Sequence, residues 1–177
     1  MPITILHVDD DSAVRDLLAD VVEVDFEGVD VLSAPDVATA VDLLESEAVD
    51  CIVSDYEMPD VDGLDFFERV RADDVDLPFI LFTGRGTERT ASQAISAGVT
   101  DYVRKEAGSD QYAVLMDRVE KAVRARREER AQDRREQQFE MLAELSQDAL
   151  EGQTPTASPT GWSPKSRTCS RWTTRRS

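Results

Sequence analysis

The chain has 177 residues, of which 37 are acidic and 20 basic, for a formal net charge of −17; this is length for one domain of ordinary size and an appendage. Residues 1–120 hold 29 acidic against 8 basic side chains, whereas 152–177 hold five bases (Lys165, Arg167, Arg171, Arg175 and Arg176) and no acid. So acidic a domain repels nucleic-acid phosphates and anionic membranes, which argues against direct DNA binding by it. No stretch approaches the ~20 apolar residues of a membrane span, and the start MPITILHVDDD has no basic, apolar leader, so a cytoplasmic protein is expected. Only three of the bases are Lys, and Asp outnumbers Glu. That bias resembles the surfaces of proteins from salt-loving organisms, where screening removes self-repulsion. Cys51 and Cys169 lack metal-ligand spacing, and Cys51 sits in an apolar run that reads as core.

In chain order, five short runs rich in β-branched or aromatic residues read as strands: Ile3 to Val8, Val29 to Ala34, Cys51 to Ser54, Phe79 to Phe82, and Tyr102 to Arg104. Segments of helical period separate them. The first is Ala13 to Val24, with Val14, Leu17, Leu18 and Val21 on one face; the second is Val37 to Glu45, with Val37, Ala40, Val41 and Leu44. Leu64 to Arg71 and Glu88 to Ala97 follow, and a fifth helix starts near Asp110 with Tyr112, Leu115, Met116 and Val119 inward. Strand and helix in alternation imply a parallel sheet covered on both faces. Ser12 is placed to cap the first helix, Pro35 and Asp36 to open the second, and Gly98 to close the fourth.

In open sheets of this kind, ligands bind outside the carboxyl ends of the strands. Asp9 and Asp10, Asp55, Thr83 and Lys105 all fall there. Asp55 lies in SDYEMPDVDG, directly after an apolar strand and before a Met-Pro turn, and HVDDD ends the first strand. Carboxylates gathered from two strand ends need a cation, and hard oxygen ligands in this number suit Mg²⁺.

Laid out in this way, residues 1–122 resemble the receiver domain of two-component response regulators. The family's acidic pair matches Asp9 and Asp10, its phosphoacceptor Asp55, and its Met-Pro-Asp-x-x-Gly follow-on Met58, Pro59, Asp60 and Gly63. Its hydroxyl residue matches Thr83, its lysine Lys105, and its switch aromatic Tyr102. Any one of these means little, but the whole set in order on the right elements is specific. The resemblance implies a flavodoxin-like, doubly wound five-stranded parallel sheet in the order 2-1-3-4-5, to which the helical pattern running on from Asp110 adds a long C-terminal helical extension. It also implies that Asp55 takes a phosphoryl group from the phosphohistidine of a sensor histidine kinase, that the receiver hydrolyses it again, and that Thr83 and Tyr102 carry the switch. Mg²⁺ would be held by Asp9, Asp10, Asp55 and the backbone carbonyl of Glu57. Glu57 and Arg85 stand where family members tune water attack on the phosphoryl group, and could pair over the site. Glu106 replaces the Pro usual after the lysine.

Other readings are weaker. Asp9-x-Asp11 resembles the first motif of haloacid-dehalogenase phosphatases, with Asp9 as nucleophile, Asp11 as acid/base and Thr83 in their second motif. However, position 13 is Ala, and no later Asp pair follows a strand. An unphosphorylated pseudo-receiver, acting as a binding module, would normally have lost one of the site residues. His7, the sole histidine, lies within the first strand and reads as a packed residue with no kinase-like helix around it.

Beyond the receiver, the helical pattern continues to about Leu150. Its middle, RARREERAQDRREQQ, is charged on every face, and FEMLAELSQDAL regains an apolar seam through Phe139, Leu142 and Ala149. Residues 123–151 therefore read as a solvated signalling helix, with a homodimer through it or a lone frayed helix as the alternatives. This segment also resembles the entry to a PAS sensor domain, as joined to receivers in archaeal proteins. Residues 152–177 are rich in Ser, Thr, Pro and Arg and are expected to be disordered, either as a basic tail or as a truncated or frameshifted remnant.

Overall fold

A computed structural model describes residues 2–74, 76–84, 88–106, 108 and 110–142, together with the backbone of 143–151. The expectations for Arg85 and for 152–177 lie outside the described residues. Five strands form one parallel sheet: β1 (Ile3–Val8), β2 (Val29–Ala34), β3 (Cys51–Ser54), β4 (Phe79–Thr83) and β5 (Asp101–Arg104), in the order β2-β1-β3-β4-β5. This is the doubly wound order that the resemblance implied. The helices are α1 (Ser12–Asp25), α2 (Val37–Ser46), α3 (Gly63–Asp73), α4 (Glu88–Ala97) and α5 (Asp110–Glu151). By contacts the chain divides into one compact unit over Met1–Arg135 and a second over Glu136–Ser177.

Burial on both faces explains the near-continuous apolar strands. One face carries Leu6, Val8, Ile52, Phe79 and Leu81 with Phe66 and Phe67 of α3. The other carries Ile5, Val53, Ile80 and Phe82 with Leu18 and Val22 of α1 and Tyr112, Leu115, Met116, Val119 and Val123 of α5. The α5 positions predicted to face inward are buried. In α1 the phase differs from expectation, since Leu17 is 49% exposed while Leu18 and Val22 are buried. Cys51 is buried, as its apolar run implied, and burial pushes its thiol well up from its ordinary range.

Helix ends follow capping chemistry, with one shift. Asp11, rather than Ser12, caps α1 by accepting the Ala13 N–H, and Ser12 becomes the first helical residue. Asp36 caps α2 through the Thr39 N–H, as expected from the sequence. Asp62, which the helical period alone does not mark, accepts both Leu64 and Asp65 N–H groups and starts α3 one residue earlier than predicted. Gly98, at φ +93°, ends α4 in the left-handed region that glycine occupies without penalty.

The charged run after residue 122 is less solvated than its sequence suggests. Arg126 bonds Asp74, the C-cap of α3, and is only 10% exposed at its side chain; Arg130 reaches both oxygens of the same carboxylate at 3.2 Å. Arg127 pairs with Asp50, just before β3, at 2.9 Å and with the Pro2 carbonyl at 3.0 Å. Three arginines thus fasten α5 to the amino-end edge of the sheet, opposite the strand ends that carry the acidic pair.

Candidate functional site

The carboxyl ends of β1, β3, β4 and β5 converge on a cavity of about 320 Å³ lined by Asp9, Asp10, Asp11, Val14, Asp55, Glu57, Thr83, Gly84 and Lys105. Parallel pairing puts these ends together. The register matches Val8 with Ser54 across β1 and β3, so the residues that follow, Asp9 and Asp55, leave the sheet side by side. The register matches Thr83 with Arg104 across β4 and β5, which brings Lys105 to the same edge. Oxygen atoms of Asp9, Asp10 and Asp55 all lie within 4.8 Å of one another.

Lys105 bridges two of the three. Its Nζ lies 2.5 Å from Asp9 Oδ2 and 3.1 Å from Asp55 Oδ2. Asp9 is wholly buried, Asp55 is 14% exposed at its side chain, and Asp10 is exposed. Burial raises the Asp9 carboxyl above its ordinary range, against the opposing pull of the hydrogen bond from Lys105 and its positive charge. One ammonium cannot neutralise three carboxylates at this separation. The donor set, all carboxylate oxygen and partly open to solvent, fits a hard divalent cation.

The remaining bonds hold the carboxylates in place. Asp9 Oδ1 accepts the Asp11 N–H at 2.9 Å, and Asp55 Oδ1 accepts the Tyr56 N–H at 2.6 Å. Arg15 of α1 donates to the Asp9 carbonyl at 2.6 Å. Nothing in the sequence signals this contact, because Arg15 resembles any solvent-facing helix residue. Gly63, legible as part of the motif, packs so closely that a Cβ there would lie 2.4 Å from the Asp55 carbonyl oxygen. Its N–H donates to the Tyr56 carbonyl at 2.9 Å, tying the start of α3 to the loop after Asp55.

Thr83 is buried at the end of β4. Tyr102 is half-buried against the cluster containing Leu81, Ala94 and Val99, and its hydroxyl is enclosed with no hydrogen-bond partner among the described residues. Burial raises the Tyr102 phenol above its ordinary range. Glu57 is exposed at the cavity rim. The Glu106 N–H, which a proline would lack, donates to Gln111 Oε1 at 2.8 Å, and Gln111 Nε2 donates to the Gly108 carbonyl at 3.0 Å. Gln111, which no motif marks, thereby closes the turn between β5 and α5. Asp11, the acid/base of the phosphatase reading, accepts the Ala13 N–H at its Oδ1 as the cap of α1.

Sheet order, the three gathered carboxylates and the lysine after β5 define a receiver-type α/β domain. Residues 5–117 match the response regulator receiver domain, and the chain belongs to that family, the receivers of two-component systems. Response regulator MprA of Mycolicibacterium vanbaalenii is 38% identical over 105 residues, 59% of this chain and 45% of that protein. The C4-dicarboxylate transport transcriptional regulatory protein DctD of Pseudomonas aeruginosa is 33% identical over 129 residues, 70% of this chain and 26% of that protein. The chain thus spans less than half the length of these relatives. Among solved structures, NtrX of Brucella abortus superposes with a TM-score of 0.64 at 27% identity, covering 72% of this chain and 29% of that one. A receiver domain from Clostridium thermocellum gives 0.63 at 23% identity over 71% of this chain and 97% of its own, a likeness of fold. Among the described residues, no helix is long and apolar enough to cross a membrane.

Proposed function

We propose that Asp55 accepts a phosphoryl group from the phosphohistidine of a sensor histidine kinase, with Mg²⁺ held by Asp9, Asp10, Asp55 and the Glu57 carbonyl. The observation that carries this reading is the meeting of three carboxylates within 4.8 Å, two of them joined by Lys105. A carboxylate oxygen of Asp55 forms the new bond to phosphorus as the bond from phosphorus to the kinase imidazole nitrogen breaks, and the imidazole leaves with the electron pair. Bound Mg²⁺ supplies positive charge to the phosphoryl oxygens and relieves repulsion among the carboxylates. Lys105 adds a second positive charge, and the Thr83 hydroxyl a hydrogen bond, to the charge spread over those oxygens. Hydrolysis of the acyl phosphate by water returns the resting state.

Switching follows when the phosphoryl group draws Thr83 and Lys105 toward it and Tyr102 moves to fill the space that Thr83 leaves. Moving such an equilibrium from 1:99 to 99:1 takes about 5.5 kcal/mol of differential binding, and a pair of charge-assisted hydrogen bonds is of that order. Glu57, with Arg85, sets how fast water reaches the phosphorus. The helix beyond residue 122 carries the signal onward and pairs with a second copy through apolar side chains such as Phe139 and Leu142, which are 73% and 61% exposed.

The test is incubation of the chain with Mg²⁺ and acetyl phosphate, followed by intact mass. The wild type gains the mass of one phosphoryl group and Asp55→Asn gains none; an Asp55→Asn variant that labels like the wild type refutes the assignment. A sizing experiment at micromolar concentration that shows only monomer, with and without a beryllofluoride mimic, removes the dimer.

A further inference from the structure

One buried ring in this fold has both nitrogens unmet. His7 lies in β1 with no exposed surface, and neither Nδ1 nor Nε2 has a hydrogen-bond partner among the described residues. A neutral imidazole carries one donor and one acceptor. Burying either without a partner costs roughly 1–3 kcal/mol, a cost that an aliphatic residue would avoid. Its register partners on that face of the sheet are Val53 of β3 and Ser33 of β2, the latter exposed and making no hydrogen bond to the ring, and Ile5 lies two residues before it. Packing therefore does not account for an imidazole at this position.

A carboxylate oxygen stands close by. Asp9 Oδ2 lies 3.8 Å from His7 Nε2, about 1 Å beyond a normal N–H···O bond. Residues two apart in an extended chain point to the same side, so His7 meets Asp9 from inside the domain while Lys105 approaches it from the cavity. Lys105 engages Oδ2 at 2.5 Å and the Asp11 N–H engages Oδ1. Oδ2 keeps a second lone pair, and the Lys105 bond is the one that phosphorylation would draw away.

We propose that His7 is a positioning residue for Asp9: its Nε2–H closes on Asp9 Oδ2 and holds that carboxylate fixed for the divalent cation. The inference rests on the reading of Asp9, Asp10 and Asp55 as the Mg²⁺ site. Carboxylates that bind metals are themselves hydrogen-bonded, and loss of such an outer partner weakens metal binding about 10–100-fold.

The experiment uses the full chain and Mg²⁺ alone. Calorimetric titration is run on the wild type, His7→Leu and His7→Gln, with thermal unfolding of each in EDTA. His7→Leu removes an unmet polar group, so Tm in EDTA rises or holds while Kd for Mg²⁺ rises about tenfold; a residue serving only structure would lower Tm and leave Kd alone. His7→Gln, which keeps a side-chain N–H donor, recovers most of the affinity. A His7→Leu variant that binds Mg²⁺ within about twofold of the wild type overturns the proposal, as does a His7→Gln variant no better than Leu. Because His7 is the sole histidine, histidine-labelled wild type also reads the ring directly. Its protonated nitrogen should be Nε2 and should shift on adding Mg²⁺, and an unmoved signal overturns the proposal even if the variants fail to fold. A wild type that binds no Mg²⁺ overturns the proposed function itself, and this inference with it.

Discussion

Replacing Gly63 with Ala tests how tightly α3 is set against Asp55. The added Cβ would lie 2.4 Å from the Asp55 carbonyl oxygen, 2.7 Å from Leu81 Cδ2 and 3.1 Å from Tyr56 Cα. The leucine methyl is able to turn aside, but the carbonyl belongs to the backbone of Asp55 itself. Restoring ordinary contact requires movement of about 1 Å, taken either by the start of α3 or by the segment Asp55–Tyr56. Overpacking of this kind costs roughly 1–3 kcal/mol, a fall of roughly 3–9 °C in Tm for a domain of this size. A shift of about 1 Å in a reacting group costs on the order of 100-fold in rate. Thermal unfolding and time-resolved intact mass with acetyl phosphate measure the two effects, and Gly28→Ala is the control. Gly28 has φ +82°, and a Cβ added there would meet nothing within 4 Å, so the variant loses about 1–2 kcal/mol of backbone energy and labels at the wild-type rate. A Gly63→Ala protein that melts and labels like the wild type would refute the close approach.

Acid sensitivity follows from His7, whose pKa is lowered from 6.5 to about 3, first by burial and then by the charge of Lys105. Between those values the unfolded chain binds more protons than the folded one, so stability is fully present above pH 6.5 and is lost as the pH falls toward 3. At about pH 4.5 the loss is about 2–3 kcal/mol; Asp9, with a raised pKa, works in the opposite sense just above the ordinary carboxylate range. Urea midpoints at about pH 7.5 and 4.5 should therefore differ less in His7→Leu than in the wild type, and an equal difference refutes the assignment. Asp74→Ala strips Arg126 and Arg130 of their shared partner; with the carboxylate 37% exposed, screening limits the loss to about 1–2 kcal/mol, and trypsin should cut faster at these arginines. No change in cutting removes the role of the clasp. Glu57→Ala should alter the lifetime of the acyl phosphate, and an unchanged lifetime ends its part in tuning. Screening of a net charge of −17 predicts a higher Tm in molar KCl than at low salt, and a flat response removes the halophilic reading.

The sheet was legible because parallel strands buried on both faces leave uninterrupted apolar runs, and because the chain marks the end of β1 and β3 with Asp9 and Asp55. Asp36 and Gly98 were legible as caps since each acts on backbone within three residues of itself. Leu17 was misplaced for a reason of phase: Leu17 and Leu18 both satisfy a helical period, and only the position of the sheet decides which turns inward. Arg15 and the clasp arginines were not legible at all. Arg126 finds its partner 52 residues away and Arg127 finds Asp50 77 residues away. A run charged on every face carries no mark of which charges will be met. The orphaned nitrogens of His7 were equally hidden, since a histidine in a strand is ordinarily satisfied by something that the sequence does not name.

The grip of Arg126 and Arg130 on Asp74 acts as a spline on the helix. These residues sit one turn apart on the same side of α5, so a single carboxylate held from two successive turns fixes the helix in angle as well as in position. Slipping by one residue would turn it by about 100° and lose both bonds. At the point where α5 leaves the sheet it is therefore not free to spin about its own axis while the clasp holds. Meanwhile Asp50 and Asp55 stand at opposite ends of the four-residue β3, and Asp74 and Gly63 at opposite ends of α3. The two elements that bracket Asp55 thus end, on their far side, at the two carboxylates that hold the helix. A displacement along either element arrives at the helix as a push or a tilt, and torque is transmitted only after an arginine lets go.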